Sequence, residues 1–401
     1  MAPFIVKGFN FEAFINTYWQ KQPCVIKQFM VDFEDPIDEH ELAGLAQEPE
    51  IDCRLVAQSD GQWLVTQGPI DDFEPLCKGA WTLLVQGVDK YIEEVDALVA
   101  PVSKIGNWRL DDVMVSFSAP EAGVGPHIDQ YDVFIVQGKG KRRWQVGTPG
   151  NFTDVLPHPL LKQIEGFEPI IDECLQPGDA IYIPPKHPHN GTALEPCLNY
   201  SIGFRAPTNL EMLHGILDEG DTLIAYQQRY EDRDIASIRE PDLPSESITK
   251  TELSRLKQSI VDLLDTDAAE YALMRYLSRQ SLPETTDQSS ECISHQDASD
   301  NLFEKNGTLH RNTAVKPIYN TTRATAGLTD KPFTFFIDGR PYAVDASLTT
   351  PVQSMLASAH TSLPLVCELE VSQKHLLSSL VAELVNDGFY FFSQDTLLSS
   401  S

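Results

Sequence analysis

The feature that most constrains this chain is a change of texture at Arg205-Ala206-Pro207. Ahead of it, short β-type runs alternate with turns built on glycine and proline. The runs include Val113–Phe117, Val133–Gln137, Trp144–Val146 and Ala180–Ile183. The turns include Gly123-Val124-Gly125-Pro126, Gly138-Lys139-Gly140, Pro149-Gly150 and Pro177-Gly178-Asp179. Runs this short leave no room for long helices, and many short strands joined by such turns pack as an all-β sandwich or barrel. Only Phe11–Lys21, ahead of Pro23, reads as helix in this part.

Beyond the change, residues 208–230 and 249–280 read as helices. Leu253, Leu256, Ile260 and Leu263 recur at steps of three, four and three, which lines up one apolar stripe. Thr249 or Thr251 is placed to cap that helix. The stripe serves either an internal core or a dimer contact. Residues 283–330 are polar, rich in Ser, Thr, Asn and Asp, and read as a linker. Then Phe333–Ile337 and Pro341–Val344 flank Asp338-Gly339, a hairpin signal. A helix at about Gln373–Val385 and the apolar Phe389–Phe392 complete a small module with a winged-helix-like order. With 401 residues, more than one domain is expected. The boundaries read as 1–207 for a β domain, 208–282 for a helical region, 283–330 for the linker and 331–401 for the last module.

Charge narrows the partners. The chain has 59 Asp and Glu against 30 Lys and Arg, a net −29. That excludes a general nucleic-acid binder acting through a basic face. It suits a basic protein partner, which an acidic surface attracts. The opening MAPFIVKGFNFEAF lacks a basic segment followed by an apolar one, and no apolar run reaches about 18 residues. Seven scattered cysteines contain no C-x-x-C pair. A cytoplasmic chain without a membrane partner is the expectation.

The chemistry concentrates in two segments. In Gly125-Pro126-His127-Ile128-Asp129-Gln130, residues 127 and 129 share one strand face. Sixty residues on, Ile183-Pro184-Pro185-Lys186-His187-Pro188-His189-Asn190-Gly191 offers two more imidazoles. A His-x-Asp pair plus one distant histidine is the two-histidine, one-carboxylate set that holds Fe(II) and leaves positions open. His187 and His189 both qualify on spacing; His189, where the chain resumes a strand, is preferred. In Lys141-Arg142-Arg143-Trp144-Gln145-Val146, strand alternation groups Arg142 with Trp144 and Val146 on the apolar face. An inward arginine needs an anion, and its planar fork suits a carboxylate. Ser116 is placed either to donate a hydroxyl to that carboxylate or simply to pack its strand. Asn199, in Leu198-Asn199-Tyr200-Ser201, is a further candidate.

Taken together, these segments resemble the Jumonji C family of Fe(II)- and 2-oxoglutarate-dependent oxygenases, in its ribosomal oxygenase branch. Tyr18-Trp19-Gln20-Lys21-Gln22-Pro23, Gly140-Lys141-Arg142-Arg143-Trp144, Tyr182-Ile183-Pro184-Pro185 and Asn199-Tyr200-Ser201-Ile202-Gly203-Phe204-Arg205-Ala206-Pro207 carry it alongside the two histidine segments. The resemblance implies a mainly β double-stranded β-helix (cupin or jelly-roll) domain, then a helical dimerisation region and a winged-helix-like module. It implies that His127, Asp129 and His189 ligate iron, and that Arg142 and Ser116 hold the distal carboxylate of 2-oxoglutarate, with Asn199 nearby. It implies O₂ as co-substrate, a homodimer, and hydroxylation of an arginine in a basic ribosomal protein. Two rivals are an N-methyl-lysine demethylase of the same family, which would release formaldehyde, and a non-catalytic cupin-like metal-binding protein.

Overall fold

The computed structural model describes residues 5–59, 61–219, 229–240, 242–280, 282, 292–305, 307–321, 333–361 and 369–393. The chain divides into two compact units, Met1–Ala206 and Pro207–Ser401.

The first unit is built on fifteen strands among the described residues. They are β1 Ile5–Lys7, β2 Cys24–Lys27, β3 Cys53–Ser59, β4 Gln62–Gln67, β5 Ala80–Val85, β6 Leu110–Ser118, β7 His127–Ile128 and β8 Asp132–Gln137. The remainder are β9 Arg142–Gly147, β10 Asp154–His158, β11 Leu161–Ile164, β12 Pro169–Leu175, β13 Ala180–Ile183, β14 Pro188–Ala193 and β15 Cys197–Phe204. Nine form one sheet in the order β1-β2-β13-β8-β15-β6-β5-β3-β4, and four form a second in the order β12-β9-β14-β7. All pairs are antiparallel except β1–β2. Strands β10 and β11 make a separate hairpin.

Alternation decides what each face buries. In β8, Phe134 and Val136 join a core with Phe14, Leu42, Val95 and Val102 from the helical segments. Val133 and Ile135 turn the other way and meet Trp144, Val146, Ile171 and Leu175 of the four-stranded sheet. Strand β13 splits likewise, with Ala180 and Tyr182 on one side and Ile181 and Ile183 on the other. These strands are buried on both faces, and the two sheets stack as a double-layered β fold.

The first helix is shorter than its sequence suggests. It runs Phe11–Thr17, capped by Asn10, whose side chain accepts the Ala13 N–H. A long-range bond competes with its extension, since the Gln20 N–H donates to the Tyr182 hydroxyl at 2.8 Å. That hydroxyl donates in turn to Asp132 Oδ1 at 2.6 Å. Asp132 is fully buried and also accepts from Arg109 Nη2 at 3.0 Å and Gln20 Nε2 at 2.9 Å. A buried carboxylate persists only with partners of this kind. The network anchors the strand that follows the His127–Asp129 segment.

In the second unit the sequence reading needs amendment at three places. Helix Asn209–Asp218 starts at a Thr208 capping box, while residues 220–228 of the expected helix lie outside the described residues. The stretch 249–280 is two helices, Lys250–Leu264 and Asp267–Ser278. Thr249 caps the first, and Thr266 breaks the run by capping the second through the Ala269 N–H. The expected linker 283–330 is ordered wherever it is described. It carries helix His295–Ser299, the π-helical turn Asp300–Glu304, and strands Leu309–Arg311 and Ile318–Tyr319. Its apolar residues are few, yet Leu302, Leu309 and Val315 all enter one core with Phe335, Val352 and Val381. Residues 283–291 and 322–330 lie outside the described residues. Strands Phe333–Ile337 and Arg340–Val344 pair as read, around Asp338 and Gly339, both at positive φ.

Asp132→Ala should lower the stability of the unit by about 3–5 kcal/mol, because it leaves the buried Tyr182 hydroxyl and the largely buried Arg109 guanidinium without their carboxylate. Arg143→Ala, which frees only the exposed Asp172, should leave it nearly unchanged. Urea unfolding followed by tryptophan fluorescence checks both.

Candidate metal centre and its cavity

The four-stranded sheet brings His127 and His189 together by register. They stand directly opposite each other in the antiparallel β7–β14 pair, with ring centroids 4.2 Å apart. Asp129 follows two residues after His127 and places Oδ2 3.9 Å from His127 Nε2 and 3.4 Å from His189 Nε2. One donor atom from each residue lies within 4.8 Å of the other two. The Lys186 N–H donates to the Asp129 carbonyl at 2.8 Å, tying the histidine-bearing loop to the motif.

Hydrogen bonds fix the tautomers. His127 Nδ1 faces the Gly125 carbonyl at 2.9 Å, and His189 Nδ1 faces the His187 carbonyl at 3.0 Å. A carbonyl only accepts, so each Nδ1 carries the proton and each Nε2 presents a lone pair inward. Burial and the neighbouring His189 push His127 down to about 4, so its ring is neutral at pH 7. Burial works against the Asp129 charge, and the Tyr131 hydroxyl, hydrogen-bonded to it, favours the ionised form. Two lone pairs and a carboxylate oxygen thus converge with no donor between them. That arrangement repels itself unless a cation sits at its centre, and nitrogen-plus-carboxylate donors suit Fe(II).

His187 is not part of this set. It is buried, its Nδ1 meets the Pro185 carbonyl at 3.2 Å, and burial lowers its pKa. The open choice between the two histidines falls to His189 because the strand register carries it opposite His127.

The donors line a cavity of about 760 Å³ that the two sheets share. Arg142 enters it as strand parity requires, 4% exposed, while Arg143 points out to Asp172. Arg142 stacks over Trp144 with 5.2 Å between guanidinium and ring centre. Its Nη1 donates to Ser118 Oγ at 3.0 Å and Asn199 Oδ1 at 3.2 Å, and Nη2 donates to the Gly191 carbonyl at 3.2 Å. Every one of these acceptors is neutral, and Nε is buried without a partner. A buried cation without a carboxylate is the receptor an anionic co-substrate needs. The fit is close enough that a Cβ on Gly191 would stand 2.8 Å from Arg142 Nε and 2.7 Å from the Trp144 ring.

Ser116 and Asn199 are separated in role by this geometry. Asn199 is buried and orients Arg142 from one side, while its Nδ2 donates to Gln137 Oε1 at 2.9 Å. The serine bonded to Arg142 is Ser118, which also bonds Thr82 at 3.0 Å. Ser116 lies in register with Asn199 and lines the open cavity wall. Asp112 lines that wall too, and the sequence reading missed it. The signal was present, since the parity that groups Met114, Ser116 and Ser118 extends two residues back to it. Asp112 accepts the Gly87 N–H at 2.8 Å, and burial followed by the charge of Asp111 pushes it up to about 6. Asp52 and Asp111 line the same region.

Comparison with known proteins agrees with this chemistry. Residues 97–212 match the JmjC domain family. The chain is 44% identical over 256 residues to the ribosomal protein uL16 3-hydroxylase of Escherichia coli K12, covering 64% of this chain and 68% of that protein. It is 37% identical over 210 residues to a probable ribosomal oxygenase of Haemophilus influenzae, covering 51% and 52%. The crystal structure of E. coli YcfD superposes with a TM-score of 0.84 at 33% identity, over 96% of this chain and 98% of that one. YcfD in complex with cobalt and 2-oxoglutarate gives 0.81 at 32% identity, over 96% and 99%. This chain belongs to the JmjC-domain oxygenases, in the ribosomal oxygenase branch.

Proposed function

We propose that the chain is an Fe(II)- and 2-oxoglutarate-dependent protein hydroxylase that modifies C3 of an arginine in a large-subunit ribosomal protein. The observation that carries this reading is the pairing, in one cavity, of a cation-seeking His127–Asp129–His189 set with a buried Arg142 that has only neutral partners. His127, Asp129 and His189 hold the metal, and Arg142 takes the distal carboxylate of 2-oxoglutarate beside the Ser116 hydroxyl. Bound iron, co-substrate and O₂ supply the oxidising power to hydroxylate an unactivated carbon. The chain's own residues keep His127 neutral, hold the co-substrate by its far end and keep water from the buried Arg142.

The substrate reading rests on the opposite wall and on the named relatives. Asp112, with Asp111 and Asp52, makes that wall acidic, which suits a guanidinium. The net charge of −29 suits a basic client and opposes direct nucleic-acid binding. A ribosomal client places the work in the cytoplasm. Among the described residues, no helix is long and apolar enough to cross a membrane.

The domain reading extends to the rest of the chain. We infer a homodimer through the helices within 208–282. Leu253 and Ile260 are 44% and 59% exposed on helix Lys250–Leu264, and no residue of that helix is buried. Residues 331–401 combine the hairpin with helices Thr349–Ala357 and Val371–Asn386, in a winged-helix-like order.

Mass spectrometry of ribosomal proteins incubated with enzyme, Fe(II) and 2-oxoglutarate should find one added oxygen on an arginine, absent with Asp129→Ala. Formaldehyde release would instead indicate demethylation. Arg142→Ala should raise the KM for 2-oxoglutarate at least tenfold, whereas Arg143→Ala should leave it within twofold, read by succinate formation. Asp112→Asn should weaken substrate use yet stabilise the fold at pH 8. Its folded pKa of about 6 lies above the ordinary 3.8, so the charge costs stability increasingly between those values and fully above them. The gain should vanish below about pH 4, where both states are protonated, as urea midpoints across pH will read. The double substitution Leu256→Glu, Ile260→Glu should give a monomer by light scattering.

A further inference from the structure

One cation in the cavity has no task in the scheme above. Arg54 lies on β3 in register with Leu84 of β5, which stands in register with Ser116 of β6. It lines the same cavity. Its Nε is buried without a partner, and among the described residues its guanidinium makes neither a hydrogen bond nor an ion pair. The carboxylates lining the cavity nearby, Asp52, Asp111 and Asp112, leave it unpaired. Arg54 is itself only partly buried, on the strand next to the sheet edge β4, and the half-exposed Tyr131 lines the same cavity, so Arg54 stands toward its open side.

An arginine cannot shed its proton, and a buried donor left unsatisfied is costly. The position therefore calls for an acceptor that arrives with a ligand. The distal carboxylate of 2-oxoglutarate already has Arg142, deeper in the cavity. The substrate guanidinium repels Arg54 and has Asp112. A polypeptide entering at the mouth brings one further kind of acceptor past Arg54, its main-chain carbonyl oxygens.

We propose that Arg54 is a positioning residue that donates hydrogen bonds to main-chain carbonyls of the substrate segment beside the modified arginine. This rests on the protein-hydroxylase reading above. The contact fixes the backbone at the mouth, so that the reacting carbon is presented at one depth relative to the metal donors.

The test uses the full chain with Fe(II), 2-oxoglutarate and a synthetic peptide spanning the arginine that the wild type hydroxylates. Arg54→Met should raise the peptide KM about tenfold, the loss expected for one charge-assisted hydrogen bond. It should change kcat far less, and leave the KM for 2-oxoglutarate within twofold. Arg54→Lys should recover most of the loss, because one N–H suffices for a carbonyl. An unchanged peptide KM in Arg54→Met overturns the proposal. So does a rise confined to the KM for 2-oxoglutarate, which would assign Arg54 to the co-substrate. Equal losses in both variants with a lowered Tm would mark a structural role and overturn it as well. A wild type that oxidises no ribosomal protein overturns the hydroxylase reading, and this one with it. An active wild type with an indifferent Arg54→Met overturns this one alone.

Discussion

The chemistry depends on one strand register. His127 and His189 are sixty-two residues apart in sequence, and they meet because β7 and β14 pair antiparallel with those two residues opposite. A slip of one residue between them would turn one imidazole to the other face and break the set. The register is held from several sides. Strand β9 pairs with the other edge of β14, placing Val146 beside His189 and Trp144 beside Gly191. The Lys186 N–H reaches back to the Asp129 carbonyl, and behind it the buried Asp132 network fixes the start of β8. The two histidines thus sit on paired strands and Asp129 follows directly on β7, as a preorganised site requires.

The same sheet geometry divides the cavity by charge. One end carries Arg142, surrounded by neutral acceptors that orient it without neutralising it. The facing wall carries Asp112 and its acidic neighbours. The cation and the acids of the cavity lining are thus carried by different strands. Between them His127 is neutral, and Asp129 supplies the carboxylate of the donor set.

Much of this was legible beforehand because a strand has a period of two. Parity alone separated Arg142 from Arg143 and paired His127 with Asp129. It also contained Asp112, which went unread because a surface acid is the ordinary fate of an Asp-Asp pair. Ser116 was read either as a donor to the co-substrate carboxylate or as strand packing, and that Ser118 on the same face meets Arg142 depends on how far β9 reaches across β6. Helix ends were misjudged where a distant or local side chain competed for a backbone N–H, as at Gln20 and Thr266. The polar stretch near residue 300 misled for a different reason. A few well-spaced apolar residues, Ala298, Leu302, Leu309 and Val315, suffice to join a core that is mostly supplied from elsewhere.

The sequence by itself determined the alternation of faces, the local caps and turns, the acid excess and the donor types, since each follows from neighbours a few residues apart. Tertiary structure alone decided which histidine joins the metal set, which serine holds Arg142, and that Arg54 stands in the cavity without a partner. Those outcomes rest on pairings across tens to hundreds of residues, where local spacing carries no information about distance.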